Sequence, residues 1–304
     1  MKSRAVRSGL IDQRDRATKR RLSRQGGRAQ TESSQAMALE SFELWLESWL
    51  TMITDIRRID LELFLSASEP FDIESSERLR QLAIHVELEA CSLPGLSGWE
   101  SLRRIYELAM ELAPANADIL ASMSISARWL GEGHSKEEQL LAISEACGRE
   151  AVQQAPDDGY GYYVLGRALY SQRRTEDALG VLSQALEFEA DRSIIAWTNL
   201  YKAHCLHDLE RWTEALAFYD KVDRSELTGS SSWRSDVLSE QRALCLFMAG
   251  QESDALALLN RILDRYEAEP HLATWAMSSS FWQLVKSGGP EYLGRAERIS
   301  GLVE

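Results

Sequence analysis

The sequence predicts an all-α chain of antiparallel helix pairs stacked into a solenoid. Three observations predict it. Apolar residues recur at helical spacing from residue 34 onward. The 304 residues hold only six prolines and 18 glycines, which favours long uninterrupted helices over many tight turns. Small residues return at a fixed offset, Gly166 with Ala178 and Ala243 with Ala255, which is the self-similarity of a repeat array.

Composition sets the outer bounds. With 34 basic and 47 acidic residues the formal net charge is −13, and 44% of residues are apolar. This is a globular composition with enough apolar residues for a substantial core. It excludes wholesale disorder, collagen and a multi-span membrane protein.

The chain opens with a basic arm, residues 1–33. Its first 30 residues carry ten basic side chains against Asp12 and Asp15. Few large apolar residues precede Met37, so the arm buries too little surface to offset its ordering entropy and is expected to be disordered. Three roles stay open for it: a solvated tail, an arm on nucleic acid or an acidic membrane surface, or an arm docked on the acidic body. No aromatic residue interleaves the arginines, so base stacking has no support.

Residues 34–69 read as an N-terminal helical cap. Phe42, Trp45, Leu46, Trp49, Leu50 and Ile53 form one apolar helical stripe. Over 56–66 the alternation of Ile59, Leu61, Leu63 and Leu65 with Asp60 and Glu62 is strand-like, and helix and strand both fit. Helix ending before Pro70 is preferred because the surrounding pattern is helical.

Residues 70–304 read as about six helix pairs. Tyr162, Leu165, Gly166, Leu169 and Tyr170 are followed by Ala178, Leu182 and Ala185. Leu102, Tyr106, Ala109 and Pro114 repeat the second half of that unit, as do Ser144, Ala151 and Pro156. The phase of Pro156 predicts where the next Leu-Gly falls, and it falls on Leu165-Gly166. Trp197 and Leu200 open a further unit closed by Ala215, Tyr219 and Val222, with two extra residues between its helices. Ala243 and Ala255 lead to Leu259 and Ile262, and Trp275 and Trp282 mark a last pair. Small residues at facing positions let two helices approach closely, and one pair cannot bury its apolar face alone, so pairs must stack.

This pattern resembles the tetratricopeptide repeat (TPR) family, whose 34-residue unit reads W-x2-L-G-x2-Y…A-x3-F…P. Here Tyr162 stands at the first aromatic site and Ala190 where the family has proline. The alanines 178, 215 and 255 are spaced by 37 and 40 residues, so the repeats are degenerate. The resemblance implies a right-handed α-solenoid whose concave face, lined by the first helix of each pair, binds a peptide.

That implication selects partner-binding candidates. Tyr163, Arg167 and Tyr170 are expected to form one exposed stripe on the first helix of the clearest unit. Lys202 is placed at the equivalent of Arg167 in the next unit, and Trp129 and Phe247 are aromatic candidates on flanking first helices. One branch of the family clamps a partner's terminal carboxylate with lysine and asparagine. Arg167 and Lys202 could act similarly, but the matching asparagines are not in place and Asn199 is one turn off.

No catalytic set is expected. GxSxG, the P-loop, the dinucleotide fingerprint and HExxH all lack support. His204, Cys205, His207 and Asp208 share one segment, but ordinary helix residues explain them better than a metal site, so no metal or cofactor is assigned. Cys91, Cys147, Cys205 and Cys245 lie far apart with no CxxC pair and read as reduced, part-buried hydrophobes. No long uncharged apolar run marks a membrane span and no apolar segment directly follows the basic start, so a cytoplasmic location is expected. The functional expectation is a non-enzymatic adaptor or scaffold holding a protein or peptide segment, basic or apolar, in a concave groove. The alternative is a regulator whose basic arm contacts nucleic acid or an acidic membrane.

Overall fold

The computed structural model describes residues 29–302 apart from 54, 72, 94, 133–137, 190, 228–232 and 274–275. Most of the basic arm lies outside the described residues, as do Trp275 and Ala190. Helix α1 spans Ala29–Leu50, so the last five residues assigned to the arm are helical. No strand occurs among the described residues, and no helix there is long and apolar enough to cross a membrane.

Two compact units divide the chain after Asp191. In the first, α1 lays its apolar stripe on an aromatic cluster in which Trp49 lies 5.1 Å and Trp45 5.9 Å from Phe64, ring centre to ring centre. The segment that reads equally as helix or strand is helical. Asp55 caps a 3-10 turn over Ile56–Arg58, and Asp60 caps α2, Leu61–Ala67, by accepting from the Leu63 amide at 3.0 Å. Two short helical pieces that restart at Asp60 look alternating in sequence because each has its own phase.

Three antiparallel pairs follow in this unit: α3 (Ser75–Cys91) on α4 (Gly95–Leu112), α5 (Ala117–Glu132) on α6 (Glu138–Gln154), and α7 (Gly159–Ser171) on α8 (Thr175–Phe188). First helices also pack on first helices, α3 on α5 and α5 on α7. The second unit pairs α9 (Arg192–Asp208) with α10 (Trp212–Tyr219) and α11 (Trp233–Met248) with α12 (Glu252–Ala268). A short α13 (Pro270–Ala273) then precedes α14 (Ser279–Gly288) packed on α15 (Pro290–Ser300).

One turn is built three times. Arg173, Glu210 and Gly250 each take a left-handed conformation, with φ of 61°, 58° and 80°. The next amide reaches back to the ending helix in each: Arg174 to Leu169 at 3.0 Å, Arg211 to Leu206 at 2.8 Å, Gln251 to Leu246 at 2.9 Å. These are Schellman-type closures that satisfy the last carbonyls of the first helix. Ala178, Ala215 and Ala255 then stand at the same distance beyond the turn, each fully buried.

The shared turn corrects the expected register of one unit. The loop between α9 and α10 holds no extra residues; α9 is instead longer, 17 residues against 13 for α7. Counting back from the turn, His204 occupies the place of Arg167. Lys202 does not.

Candidate functional site

The first helices carry the candidate residues, and they bury more of them than the sequence suggests. Tyr163 and Arg167 are only 2% and 5% exposed. The expected exposed stripe is therefore not one, because the flank of α7 turned away from α8 is covered by α5 and α6. Within it the Arg167 Nη1 donates to the Tyr163 hydroxyl at 2.8 Å, and the guanidinium lies 5.3 Å from the centre of the same ring. A neutral phenol and a π face thus partner the charge where water is excluded. Tyr170, at the end of α7, is half-buried.

Tyr170 has structural counterparts. Its carbonyl accepts from the left-handed Arg173 at 2.9 Å, as that of His207 does from Glu210 at 2.9 Å and that of Phe247 from Gly250 at 3.0 Å. All three rings are half-buried. A flat, partly accessible ring therefore closes each of these first helices. The sequence pattern indicates Tyr170 and Phe247 and misses His207, because it sets that unit in the wrong register.

Arginines dominate the first helices of the N-terminal unit. Arg80 on α3 is 4% exposed and grips both oxygens of Glu77 through Nε and Nη2, at 2.8 and 2.7 Å, while Nη1 donates to Ser122 at 3.0 Å. Burial works against its charge, and the Glu77 carboxylate more than restores it. Arg128 on α5 is 4% exposed, donates from Nη1 to Glu132, and lies 5.3 Å from the ring centre of the half-buried Trp129. Glu132 also accepts from the Ser171 hydroxyl on α7. Burial would raise the Glu132 pKa, but Arg128, Ser171 and Arg167 hold it below the usual carboxylate range. Arg80, Arg128 and Glu132 carry no spacing signal in the sequence, since charged residues on a helix read as solvated.

In the second unit Lys202 is 8% exposed, and its ammonium stands 4.3 Å from the centre of the Phe218 ring. Lys221 approaches the same ring at 4.6 Å. The histidine segment is dispersed into separate contacts. His204 meets the Tyr219 hydroxyl at 3.1 Å, whereas His207 meets Asp208 at 3.2 Å and the Ser280 hydroxyl at 3.1 Å. Burial, then the charges of Arg234 and His207, push the His204 pKa down to about 3, so its ring is neutral. No group of three His, Cys, Asp or Glu side chains suited to a metal forms among the described residues. Burial pushes the Cys147 and Cys245 thiols up to about 11 and 12, outside the range of reactive thiolates.

No family model matches the chain, and no curated protein matches it. Solved structures do. PilW, a widely conserved type IV pilus biogenesis factor, aligns at a TM-score of 0.55 and 16% identity over 76% of this chain and 93% of its own. PilF of Pseudomonas aeruginosa aligns at 0.51 and 14%, covering 74% and 90%. Human IFIT1, solved as a dimer with PPP-AAAA, aligns at 0.51 and 16%, covering 80% of this chain and 54% of IFIT1. At such identities the likeness is one of fold, and with its paired helices and thrice-repeated turn the chain has the fold of the tetratricopeptide-repeat proteins.

Proposed function

We propose that this chain is a non-enzymatic adaptor or scaffold that holds a peptide segment of a protein partner against the first helices of its repeats. The observation that carries this reading is the recurrence of a half-buried ring at one repeat position, Tyr170, His207 and Phe247, with Trp129 on the flanking first helix. Rigid rings with part of their surface open supply contact area at low entropic cost, which is why aromatic residues and arginine concentrate at binding hot spots.

Affinity capture from nuclease-treated lysate tests it. The full chain is compared with a Trp129→Ala, Tyr170→Ala double variant. Both positions are half-buried, so the variant is expected to fold and to lose a discrete protein that the native chain retains. Retention of that protein by the folded variant rejects this set of contacts.

A further inference from the structure

Arginine forks recur throughout this protein, and nearly always the same edge is filled. Arg57 grips Asp55, Arg211 grips Glu214 and Arg295 grips Glu267, each through Nε and Nη2 onto the two oxygens of one carboxylate, at 2.7 to 2.9 Å. Buried Arg80 holds Glu77 in the same way. Arg128 breaks the pattern. Its acidic contact among the described residues, Glu132, sits on Nη1, at the other end of the guanidinium. Its Nε and Nη2 are buried with no hydrogen-bond partner among the described residues, and so is the indole Nε1 of adjacent Trp129.

Three orphan donors on two consecutive residues is a costly arrangement for a chain to keep. All three are donors, so the missing partner is acceptor-rich. The Nε–Nη2 edge is the one whose two parallel N–H groups match a carboxylate. The local charge fixes its valence: Arg128 and Arg167 beside Glu132 leave one net positive charge, which one carboxylate neutralises. A polyanionic nucleic acid suits it less, because the chain as a whole carries −13.

We propose that the Nε–Nη2 edge of Arg128, with the Trp129 indole N–H beside it, is a subsite for an aspartate or glutamate side chain of a bound peptide. The subsite rests on the peptide-binding reading above and assigns that partner an acidic anchor residue. The overall acidity of the chain favours basic partners at long range, but at the anchor point the contacting groups decide. The edge is closed to solvent in the free chain, so the peptide enters by displacing a covering side chain.

The test uses the full chain and three fluorescein-labelled pools of capped peptides of about twelve residues. They share one randomised apolar and polar background and differ at a single degenerate position, Asp/Glu, Asn/Gln or Lys/Arg. The native chain is expected to prefer the acidic pool over the amide pool by about ten-fold in Kd, the effect of one charge-assisted pair. Arg128→Gln should erase the preference, so that the acidic and amide pools bind alike. Arg149→Gln, at an exposed arginine on α6, should leave both unchanged. If Arg128→Gln fails to fold, Arg128→Lys, which keeps the charge and removes the fork, is expected to lose most of the preference. Equal binding of acidic and amide pools overturns the subsite and leaves the peptide reading standing. Binding of no pool overturns both. Tighter binding of a single-stranded oligonucleotide than of the acidic pool, lost with Arg128→Gln, overturns the carboxylate in favour of phosphate.

Discussion

Gly166 on α7 lies directly over Leu182 on α8: a Cβ on Gly166 would stand 2.6 Å from the Leu182 Cγ and Cδ2. That is closer than carbon atoms approach, so the spacing of the two helices depends on the missing methyl. Gly166→Leu should overpack this contact and cost about 1–3 kcal/mol, read as a fall in the denaturant midpoint. Gly180 is the control, since it lies on the same helix pair and a Cβ there would meet nothing within 4 Å. Gly180→Ala should gain about 0.5–1 kcal/mol by limiting the unfolded chain. An unchanged midpoint for Gly166→Leu would mean the helices are not in this register.

The repeated turn makes a second prediction. Glu210 adopts the left-handed conformation that glycine adopts at the matching Gly250. That conformation costs a residue with a Cβ about 1–2 kcal/mol, part of which glycine returns as lost backbone entropy. Glu210→Gly should therefore stabilise by about 0.5–1 kcal/mol, and Gly250→Ala should destabilise by about 1 kcal/mol. Thermal unfolding of both variants checks the pair of opposite signs.

Acid should weaken the second unit through His204. Its pKa is held at about 3 in the folded chain against an ordinary 6.5, so between those values only the unfolded chain takes up the proton. The stability this neutral ring contributes is complete above pH 6.5 and drains away as pH falls toward 3. His204→Gln keeps a polar partner for Tyr219 and should flatten the pH dependence of the denaturant midpoint across that window. A slope that persists in the variant would place the titration elsewhere.

Tyr163 and Arg167 are matters of stability before recognition. Tyr163→Ala removes a buried ring and the acceptor of the Arg167 Nη1, and should cost about 3–5 kcal/mol. The milder Tyr163→Phe isolates the hydrogen bond, at about 1–3 kcal/mol. Chemical denaturation of the two variants separates ring from hydroxyl.

The repeat register is legible in sequence wherever small residues face each other. Ala178, Ala243 and Ala255 are all fully buried, as their spacing implies. Burial of the site residues is not legible, for a physical reason. Periodicity shows which residues of α7 face α8, and the rest read as solvent-facing until α5 and α6 are seen to cover them. That is why Tyr163 and Arg167 look exposed in sequence and are not. Lys202 falls out of register for a different reason. Trp197 imitates the opening aromatic of a repeat, whereas the turn hydrogen bonds anchor the unit from its other end. The Arg128 fork has no sequence signature, because an unpaired guanidinium edge exists only once the neighbours are in place.

The most direct test of partner binding on the first helices is site-specific photo-crosslinking. A photoreactive phenylalanine analogue is placed at Tyr170, at the end of α7, and separately at Gly180, exposed on the second helix α8. The partner captured by the native chain should crosslink from Tyr170 and not from Gly180. Crosslinking from Gly180 with none from Tyr170 would put the partner on the second helices and contradict the proposed site.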